Sequence, residues 1–290
     1  MKKAGLLFLC FGLIAIVSGC GGGGSSSGGT IAFTSDLELG GDQIWSMSAD
    51  GTGMTRLTSS GENAGPAFSP DGSQITFTSD RDGNTEVYIM NANGSAQTRL
   101  TTNSAIDMAP AFKPDEDKIT FTSDRDGNAQ IYAMNSNGAS QTNLSGTAFH
   151  DIQSNYSPDG STIVFAGNRD GDYDIHTMAA SGGPATKLLN TSDDEFQPIY
   201  SPDGSKIAFV RLIGLNIDVW VMNSDGSGAV NLTNNSASDS FPCWSPDGSK
   251  IAFVSNRGGD YDIYTMNADG TNVQQLTNDS AREGKPTWTM

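Results

Sequence analysis

Cysteine and histidine are both scarce in this chain of 290 residues. Of the three cysteines, Cys10 and Cys20 lie near the N-terminus, and only Cys243 remains in the body of the sequence. One cysteine cannot form an internal disulfide, so the folded part depends on its hydrophobic core. His150 and His176 are few for a catalytic site built on several imidazoles, and neither a Gly-x-Ser-x-Gly nor a His-Glu-x-x-His motif is present.

Basic residues are also scarce, because 16 Lys and Arg stand against 33 Asp and Glu and the formal net charge is −17. The field of such a chain repels polyanions, and nucleic-acid binding needs clustered Lys and Arg side chains. We therefore expect no nucleic acid as a partner and no contact of the domain itself with anionic lipid headgroups.

Long hydrophobic runs are missing except at the N-terminus, where two lysines precede apolar residues 4–17. This run is too short to cross a bilayer comfortably and predicts a signal peptide over residues 1–19. It ends in Val-Ser-Gly-Cys, which resembles the lipobox of bacterial lipoproteins and predicts lipidation of Cys20. Residues 20–29 would then be the lipidated cysteine and a flexible Gly/Ser tether. An ordinary secretory signal is the alternative.

Helical periodicity is absent, and instead a block reading roughly Pro-x-Phe/Trp-Ser-Pro-Asp-Gly-Ser-x-Ile-x-Phe recurs every 44 residues. Periods of about 40 to 45 residues made only of short strands and turns are the mark of propeller blades. The proline of the Ser-Pro-Asp-Gly turn is Pro70, Pro114, Pro158, Pro202 and Pro246, and the proline four residues earlier is Pro66, Pro110, Pro198, Pro242 and Pro286, with Ser154 at the remaining position.

Residues 66–101 illustrate the four strands of one repeat. Strands are expected near residues 66–69, 75–78 and 86–90, with a fourth ending at Leu100 and Thr101. The first-strand and second-strand motifs each occur six times, but the chain opens on a second strand and closes on a first strand. We therefore predict an all-β, six-bladed β-propeller of four-stranded antiparallel blades over residues 30–290. The C-terminal strand would complete blade one and close the ring.

Three phrases carry a family resemblance: Trp-Ser-Pro-Asp-Gly-Ser-Lys at residues 244–250, Ile-Ala-Phe-Val-Ser-Asn-Arg at residues 251–257 and Asp-Ile-Tyr-Thr-Met-Asn-Ala-Asp-Gly at residues 262–270. They resemble the TolB-type propeller repeat, also known as the PD40 or WD40-like repeat. The similarity covers nearly all of residues 30–290 and implies a six-bladed propeller. The protein that gives the family its name is periplasmic and binds a peptidoglycan-associated lipoprotein, so the resemblance also implies protein binding in the bacterial envelope.

Strand direction sorts the connections onto two faces of the ring. The turn face carries the Ser-Pro-Asp-Gly and Asn-Ala-Asp-Gly turns, and the loop face carries the Ser-Asp-Arg-Asp-Gly loops together with the connections between blades. Carboxylates recur on the loop face, three residues before the inner-strand proline, and are expected to ring the mouth of the channel. This acidic ring comprises Asp107, Asp151, Glu195, Asp239 and Glu283, with Asn63 at the sixth position.

The acidic ring has both a structural and a functional interpretation. Structurally, three of its members could pair with the arginine of their own blade. Glu195 and Glu283 lack that arginine, because Ile213 and Leu37 stand at its position, so we predict that both are free to bind a cation or a basic side chain. The expected pairs are Asp107 with Arg125, Asp151 with Arg169, and Asp239 with Arg257.

The fifth blade replaces the polar loop by apolar residues that include Leu212, Ile213 and Leu215. Contiguous exposed apolar side chains mark contact surfaces, so we predict that this segment binds a partner. Packing against a neighbouring loop is the alternative.

Cofactor binding is not expected, although loops such as residues 80–84 place oxygen atoms on alternate residues as calcium loops do. These loops lack the further ligands of a full site, so a β-turn is the preferred interpretation, and calcium in the acidic channel stays a second hypothesis. His176 and Cys243 occupy core positions of their repeats and are expected to be buried. His150 lies in a blade connection and is expected at the surface.

The first functional hypothesis is a non-catalytic, membrane-tethered scaffold that binds an envelope protein or peptide, basic in character, through the acidic ring and Leu212, Ile213 and Leu215. We expect a monomer, held at the membrane by its lipid anchor alone. Gly21 after the cysteine is compatible with an outer-membrane lipoprotein facing the periplasm. The second hypothesis is a small-molecule enzyme or sensor of the glycan type with its site in the propeller mouth. A structural spacer without a ligand is the third.

Overall fold

The computed structural model describes residues 28–38, 40–114 and 118–290. Their 24 strands form six four-stranded antiparallel sheets, which confirms the all-β, six-bladed propeller. The signal peptide, Cys20 and most of the tether lie outside the described residues. In the part of the chain that is described, no helix is long and apolar enough to cross a membrane.

The innermost strand of each blade contacts the innermost strands of its two neighbours, and together they surround the central channel. Each runs from the loop face to the turn face. These strands are β4 (Asn63–Phe68), β8 (Asp107–Phe112), β12 (Asp151–Tyr156), β16 (Asp194–Tyr200), β20 (Asp239–Trp244) and β24 (Glu283–Thr289).

The two middle strands of each blade form a hairpin whose tip lies on the loop face. The second strands are β1 (Thr30–Ser35), β5 (Gln74–Ser79), β9 (Lys118–Ser123), β13 (Thr162–Gly167), β17 (Lys206–Ile213) and β21 (Lys250–Ser255). The third strands are β2 (Gln43–Ser48), β6 (Glu86–Asn91), β10 (Gln130–Asn135), β14 (Asp174–Ala179), β18 (Asn216–Asn223) and β22 (Asp262–Asn267).

The outermost strands are only two residues long, shorter than the sequence predicts. In the second blade the strand ends at Arg99, whereas Leu100 and Thr101 were expected to belong to it. The Thr101 hydroxyl accepts the Val87 N–H at 2.9 Å, so a side chain replaces the backbone partner that a longer strand would supply. The outermost strands are β3 (Thr55–Arg56), β7 (Thr98–Arg99), β11 (Thr142–Asn143), β15 (Thr186–Lys187), β19 (Val230–Asn231) and β23 (Gln274–Gln275).

The C-terminal strand closes the ring as predicted. β24 pairs antiparallel with β1, from Thr30 opposite Thr289 to Ser35 opposite Glu283. The first blade is therefore built from both ends of the described chain, and β1 is hydrogen-bonded on both sides, to β24 and to β2.

The hydrophobic core lies between adjacent blades and is divided into six similar clusters. The second strand of every blade contributes one phenylalanine that is inaccessible to solvent, and burying such a side chain contributes about 2–3 kcal/mol. Because each cluster joins two blades, the core holds the ring together as well as the single sheets. The six phenylalanines are Phe33, Phe77, Phe121, Phe165, Phe209 and Phe253.

Each innermost strand contains a β-bulge that the sequence pattern does not reveal. The register slips by one residue, for example between Ala64 and Ala67 in β4. The third residue of the strand, or the fourth in β16, adopts a left-handed backbone conformation, which L residues rarely adopt. We call these six positions the bulge ring: Gly65, Ala109, Gln153, Gln197, Phe241 and Lys285, with φ of 64°, 53°, 58°, 55°, 53° and 29°.

Candidate functional site

The three arginine pairs predicted for the acidic ring are confirmed. In each pair an arginine Nη2 lies 2.9 Å from a carboxylate oxygen that is inaccessible to solvent. Two of these arginines, Arg125 and Arg257, also lie over the tyrosine of their blade, with Cζ 4.5 Å from the Tyr132 ring centroid in one case. The arginines thus hold the loops of the loop face against buried anions and aromatic rings. The pairs are Asp107 with Arg125, Asp151 with Arg169, and Asp239 with Arg257.

The prediction that Glu195 lacks a cationic partner is wrong. Arg211 Nε lies 2.9 Å from Glu195 Oε1, and the Thr191 hydroxyl donates to the same oxygen at 2.6 Å. The sequence comparison placed Ile213 at the arginine position, but β17 continues to Ile213 and brings Arg211 to the same place in space. Burial nevertheless raises the pKa of Glu195, and its second oxygen has no hydrogen-bond partner.

Glu283 has no arginine partner among the described residues, as predicted, but it is buried. Its carboxyl oxygens lie 3.0 Å from the Ser35 hydroxyl and 3.1 Å from the Thr277 hydroxyl. Burial, reinforced by the nearby Asp279 carboxylate, raises the pKa of Glu283 to about 8. The carboxyl group is therefore protonated over much of the neutral pH range and is buried within the blade.

The open acidic ring expected from the sequence is thus corrected in one respect, because its five carboxylates are all buried. Four of them, all but Asp239, donate their backbone N–H to a carbonyl of the preceding blade, which lies against them; the Asp107 N–H, for instance, donates to the Thr85 carbonyl at 2.9 Å. Direct partner binding by Asp107, Asp151, Glu195, Asp239 and Glu283 remains a prediction. What the structure shows for them is a role in ordering the loop face.

Sequence reasoning missed a second set of buried carboxylates, at the start of the third strands. These side chains anchor the outermost strands: Asp174 pairs with Lys187 at 2.8 Å, and Asp218 accepts hydrogen bonds from Asn231 and Thr233. Their recurrence every 44 residues was the available signal. The set comprises Glu86, Asp174, Asp218 and Asp262.

The apolar segment of the fifth blade forms the tip of the β17–β18 hairpin. Pairing continues to Ile213 opposite Asn216, and the two-residue turn begins with Gly214 at φ 67°, as a type II′ turn requires. Leu215 is 99% exposed and Ile213 is 47% exposed, whereas Leu212 is half-buried. The hairpin therefore presents two apolar side chains to solvent on the loop face and does not pack on a neighbouring loop.

The remaining predictions for single residues are confirmed. Cys243 is buried, and burial raises the pKa of its thiol to about 12. His176 is buried and stacks on Phe165 with ring centroids 5.7 Å apart. His150 is exposed, and its Nδ1 accepts the Ala129 N–H at 3.2 Å.

The loop of residues 80–84 forms the predicted turn, closed by a 2.8 Å hydrogen bond from the Gly83 N–H to the Asp80 carbonyl. Asp80 Oδ1 accepts the Glu62 N–H at 2.7 Å, so this oxygen is already engaged within the loop face. Among the described residues, no three His, Cys, Asp or Glu side chains cluster in a way that could hold a metal ion. Calcium binding in the acidic channel remains a hypothesis.

A funnel of about 310 Å³ opens at the centre of the turn face, at the opposite end of the channel from the acidic ring. Its wall consists of one aromatic side chain per blade, together with prolines of the Ser-Pro-Asp-Gly turns. Ile199, Cys243 and Thr287, each one residue deeper in the channel, form its floor. We call this the aromatic funnel; its aromatic side chains are Phe68, Phe112, Tyr156, Tyr200, Trp244 and Trp288.

Comparisons with known proteins place this fold among TolB propellers. TolB from Acinetobacter baumannii is 23% identical with a TM-score of 0.79; the match covers 90% of this chain and 66% of that one, so the chain spans slightly less than two thirds of that protein. A putative TolB from Agrobacterium tumefaciens is 21% identical with a TM-score of 0.72, covering 91% of this chain and all of the other. An oligogalacturonate lyase in complex with manganese is 19% identical with a TM-score of 0.56, covering 87% of this chain and 74% of the lyase.

No curated protein matches the sequence. The family model for the TolB beta propeller domain matches residues 59–196 and 186–290, which together make up most of the chain. The match includes five of the six blades and the closing strand. The chain therefore belongs to the TolB beta propeller domain family.

Proposed function

We propose that this protein is a non-catalytic scaffold of the bacterial cell envelope that binds a protein or peptide through its loop face. The observation that carries the proposal is the β17–β18 hairpin, which departs from the blade repeat and exposes Leu215 almost completely. Exposing apolar surface loses roughly 25 cal/mol per Å² relative to burying it, so a partner that covers Ile213 and Leu215 recovers that free energy.

Charge favours a basic partner. The net charge of −17 attracts cationic proteins over a distance of about one Debye length, roughly 8–10 Å at physiological salt. The acidic ring contributes by fixing the arginine-containing loops that surround the channel mouth, so the binding surface is rigid before the partner arrives. Leu212, Ile213 and Leu215 would supply the apolar contact on that surface.

Membrane tethering through Cys20 is the second part of the proposal, and the entry point of the chain supports it. Trp288 Nε1 donates to the Gly28 carbonyl at 3.0 Å, so the described chain begins at the turn face. Eight Cα–Cα steps separate Cys20 from Gly28 and span at most about 29 Å. An anchor at Cys20 would hold the turn face toward the membrane and leave the loop face directed into the envelope, where a partner is met.

The test is a pull-down from bacterial envelope extract with the wild-type protein and an Ile213→Ser/Leu215→Ser variant. Both substitutions lie at a solvent-exposed hairpin tip, so the melting temperature should stay unchanged. The matched control is Val230→Ser, which removes a 56% exposed apolar side chain from β19 of the same blade. The proposal predicts a retained protein that the hairpin variant loses and the control keeps; equal retention by all three proteins would contradict it.

A glycan-type enzyme or sensor is the second candidate, and the aromatic funnel favours it because small-molecule sites are concave and lined by aromatic side chains. His150 lies on the loop face, at the other end of the channel from the funnel. A scaffold should be indifferent to Tyr200→Ala in the funnel and to His150→Ala in the loop-face mouth, whereas an enzyme should lose activity on oligosaccharides in the variant that disrupts its site. Calorimetric titration with calcium tests the remaining cofactor hypothesis, and the absence of heat would remove it.

A further inference from the structure

The bulge ring surrounds the channel between the acidic ring and the aromatic funnel, and it contains no carboxylate. Two of its side chains complete the hydrogen bonding of the next blade. Gln153 Oε1 accepts the Gln197 N–H at 3.0 Å, and Gln197 Oε1 accepts the Phe241 N–H at 2.6 Å. Their amide nitrogens have no protein partner among the described residues.

Lys285 is the only charged side chain of the bulge ring. Among the described residues it has no hydrogen-bond or ion-pair partner, in contrast to the arginines of the acidic ring. Its side chain reaches toward the next blade, where Gly65 leaves space: a Cβ on Gly65 would lie 3.5 Å from both Lys285 Cδ and Nζ. Burial lowers the pKa of Lys285 to about 8, and no carboxylate of the described residues pairs with its amino group.

The aromatic funnel leads toward this lysine. Thr287 and Cys243 form part of the funnel floor. Lys285 precedes Thr287 by two residues on β24, so it lies deeper in the channel, and their Cα atoms are at most about 7 Å apart. Lys285 is also close enough to Cys243 for the two side chains to influence each other electrostatically. Lys285 therefore lies deeper in the channel than the aromatic side chains of the funnel.

We propose that the aromatic funnel and Lys285 form one binding site for a small carboxylate with a flat, apolar body. The body would lie between the aromatic side chains, and the carboxylate would receive charge-assisted hydrogen bonds from Lys285 Nζ. The volume of about 310 Å³ is at the lower end of ordinary ligand sites and fits a single-ring acid.

The net negative charge of the chain disfavours anion binding, but inside the channel the charges nearest to Lys285 determine whether an anion is stabilised. Carboxylates of the acidic ring are paired with arginine or, at Glu283, hydrogen-bonded with a raised pKa. An ammonium group removed from water and lacking a counter-ion is stabilised by any anion that reaches it. This site lies on the turn face and goes beyond the scaffold proposed for the loop face, so either can fail without the other.

The test is calorimetric titration of the folded protein with benzoate, and with benzamide as its uncharged analogue. The decisive variant is Lys285→Gln, because glutamine already occupies the same left-handed position at Gln153 and Gln197. Benzoate should bind the wild type and should bind Lys285→Gln at least roughly tenfold more weakly, the effect of losing a charged hydrogen bond. Benzamide should bind both proteins equally weakly.

Lys206→Gln is the control, since it makes the same change in net charge at an exposed lysine. It should leave benzoate affinity unchanged. The proposal is overturned if benzoate does not bind the wild type, if it binds Lys285→Gln as tightly, or if both lysine variants weaken binding to the same extent. Equal melting temperatures of the three proteins would confirm that all are folded.

Discussion

Arg211 Nε lies 2.9 Å from Glu195 Oε1, while Arg211 Cζ lies 4.2 Å from the centroid of the Trp220 ring. Other blades build the same arrangement from an arginine two residues further along the chain and from a tyrosine. In the third blade, for example, Arg125 pairs with Asp107 and lies over Tyr132 with Cζ 4.5 Å from the ring centroid. The fifth blade therefore keeps the arginine–carboxylate pair although its β17–β18 hairpin is longer and its tip is apolar.

The first prediction concerns this pair. Arg211→Met retains most of the apolar stem but leaves Glu195 buried without its cation, so the free energy of unfolding should fall by about 3 kcal/mol. Urea unfolding at pH 7 measures the change. The control is Arg56→Met, which breaks the exposed pair with Glu38 and should lose at most about 1 kcal/mol. Equal losses of unfolding free energy in the two variants would contradict a larger contribution from the buried Glu195 pair.

The second prediction concerns pH and Glu283. Its pKa is about 8 in the folded state against 4.5 in the unfolded chain, so between these values the folded state binds more protons. Stability is therefore greatest below about pH 4.5 as far as this group is concerned, and it falls as pH rises toward 8, by roughly a few kcal/mol.

Glu283→Gln should remove that contribution, and Asn63 shows that an amide is accommodated at this position of a blade. Thermal unfolding of both proteins from pH 5 to pH 9 gives two profiles of stability against pH. Their difference isolates the contribution of Glu283 from that of groups with the opposite pH dependence, such as His176, whose pKa is lowered by burial. The variant should be relatively more stable at pH 9 than at pH 5. A difference that does not depend on pH would contradict the raised pKa.

The third prediction concerns a substitution pattern within the bulge ring. The Gln153 N–H donates to the Thr122 hydroxyl of the preceding blade at 3.2 Å. For Phe241 the corresponding residue of the preceding blade is Val210, which has no hydroxyl, and Gln197 supplies the acceptor instead. The glutamine thus compensates for a missing threonine.

Gln197→Leu should therefore destabilise the protein by about 1–3 kcal/mol, because the Phe241 N–H loses its acceptor. Adding Val210→Thr to that variant should restore part of the loss by recreating the hydroxyl. Val210→Thr alone has no such benefit, since Gln197 already accepts the bond. Chemical unfolding of the four proteins forms a double-mutant cycle, and strictly additive effects would refute the compensation.

The fourth prediction concerns ring closure. Deleting residues 285–290 removes most of β24, exposes the β1 edge and opens the interfaces with the neighbouring blades. We expect cooperative loss of the whole domain and no single frayed blade, visible as loss of the β-sheet circular dichroism signal. Deleting only Met290, which is 92% exposed, is the control and should leave the melting temperature unchanged. A stable truncated protein would contradict closure by β24.

The sequence predicts the fold almost completely because each blade repeats the same strand and turn signals at a constant spacing. It predicts the three Asp–Arg pairs for the same reason, since both partners keep their positions in the repeat. It fails for Glu195 because a two-residue extension of β17 moves the arginine in the sequence without moving it in space.

Burial of the acidic ring was also beyond the sequence pattern. Carboxylates next to a loop are expected at the surface, and only the approach of the preceding blade's backbone covers them. The bulge ring escaped prediction because a left-handed residue inside a strand interrupts the alternation of buried and exposed positions by one residue. Lys285 consequently has no sequence signal that separates it from a surface lysine.

The position of β1 between β24 and β2 has a mechanical consequence. A tether that pulls on the chain at Gly28 would draw β1 along its own axis, parallel to the strands on both sides. The force would then load both hydrogen-bond ladders of β1 in shear, from Thr30 to Ser35, and the bonds would have to break together and not one after another. A pull transmitted from an N-terminal anchor would therefore load β24 and β2 together through β1, so both ends of the described chain would share it.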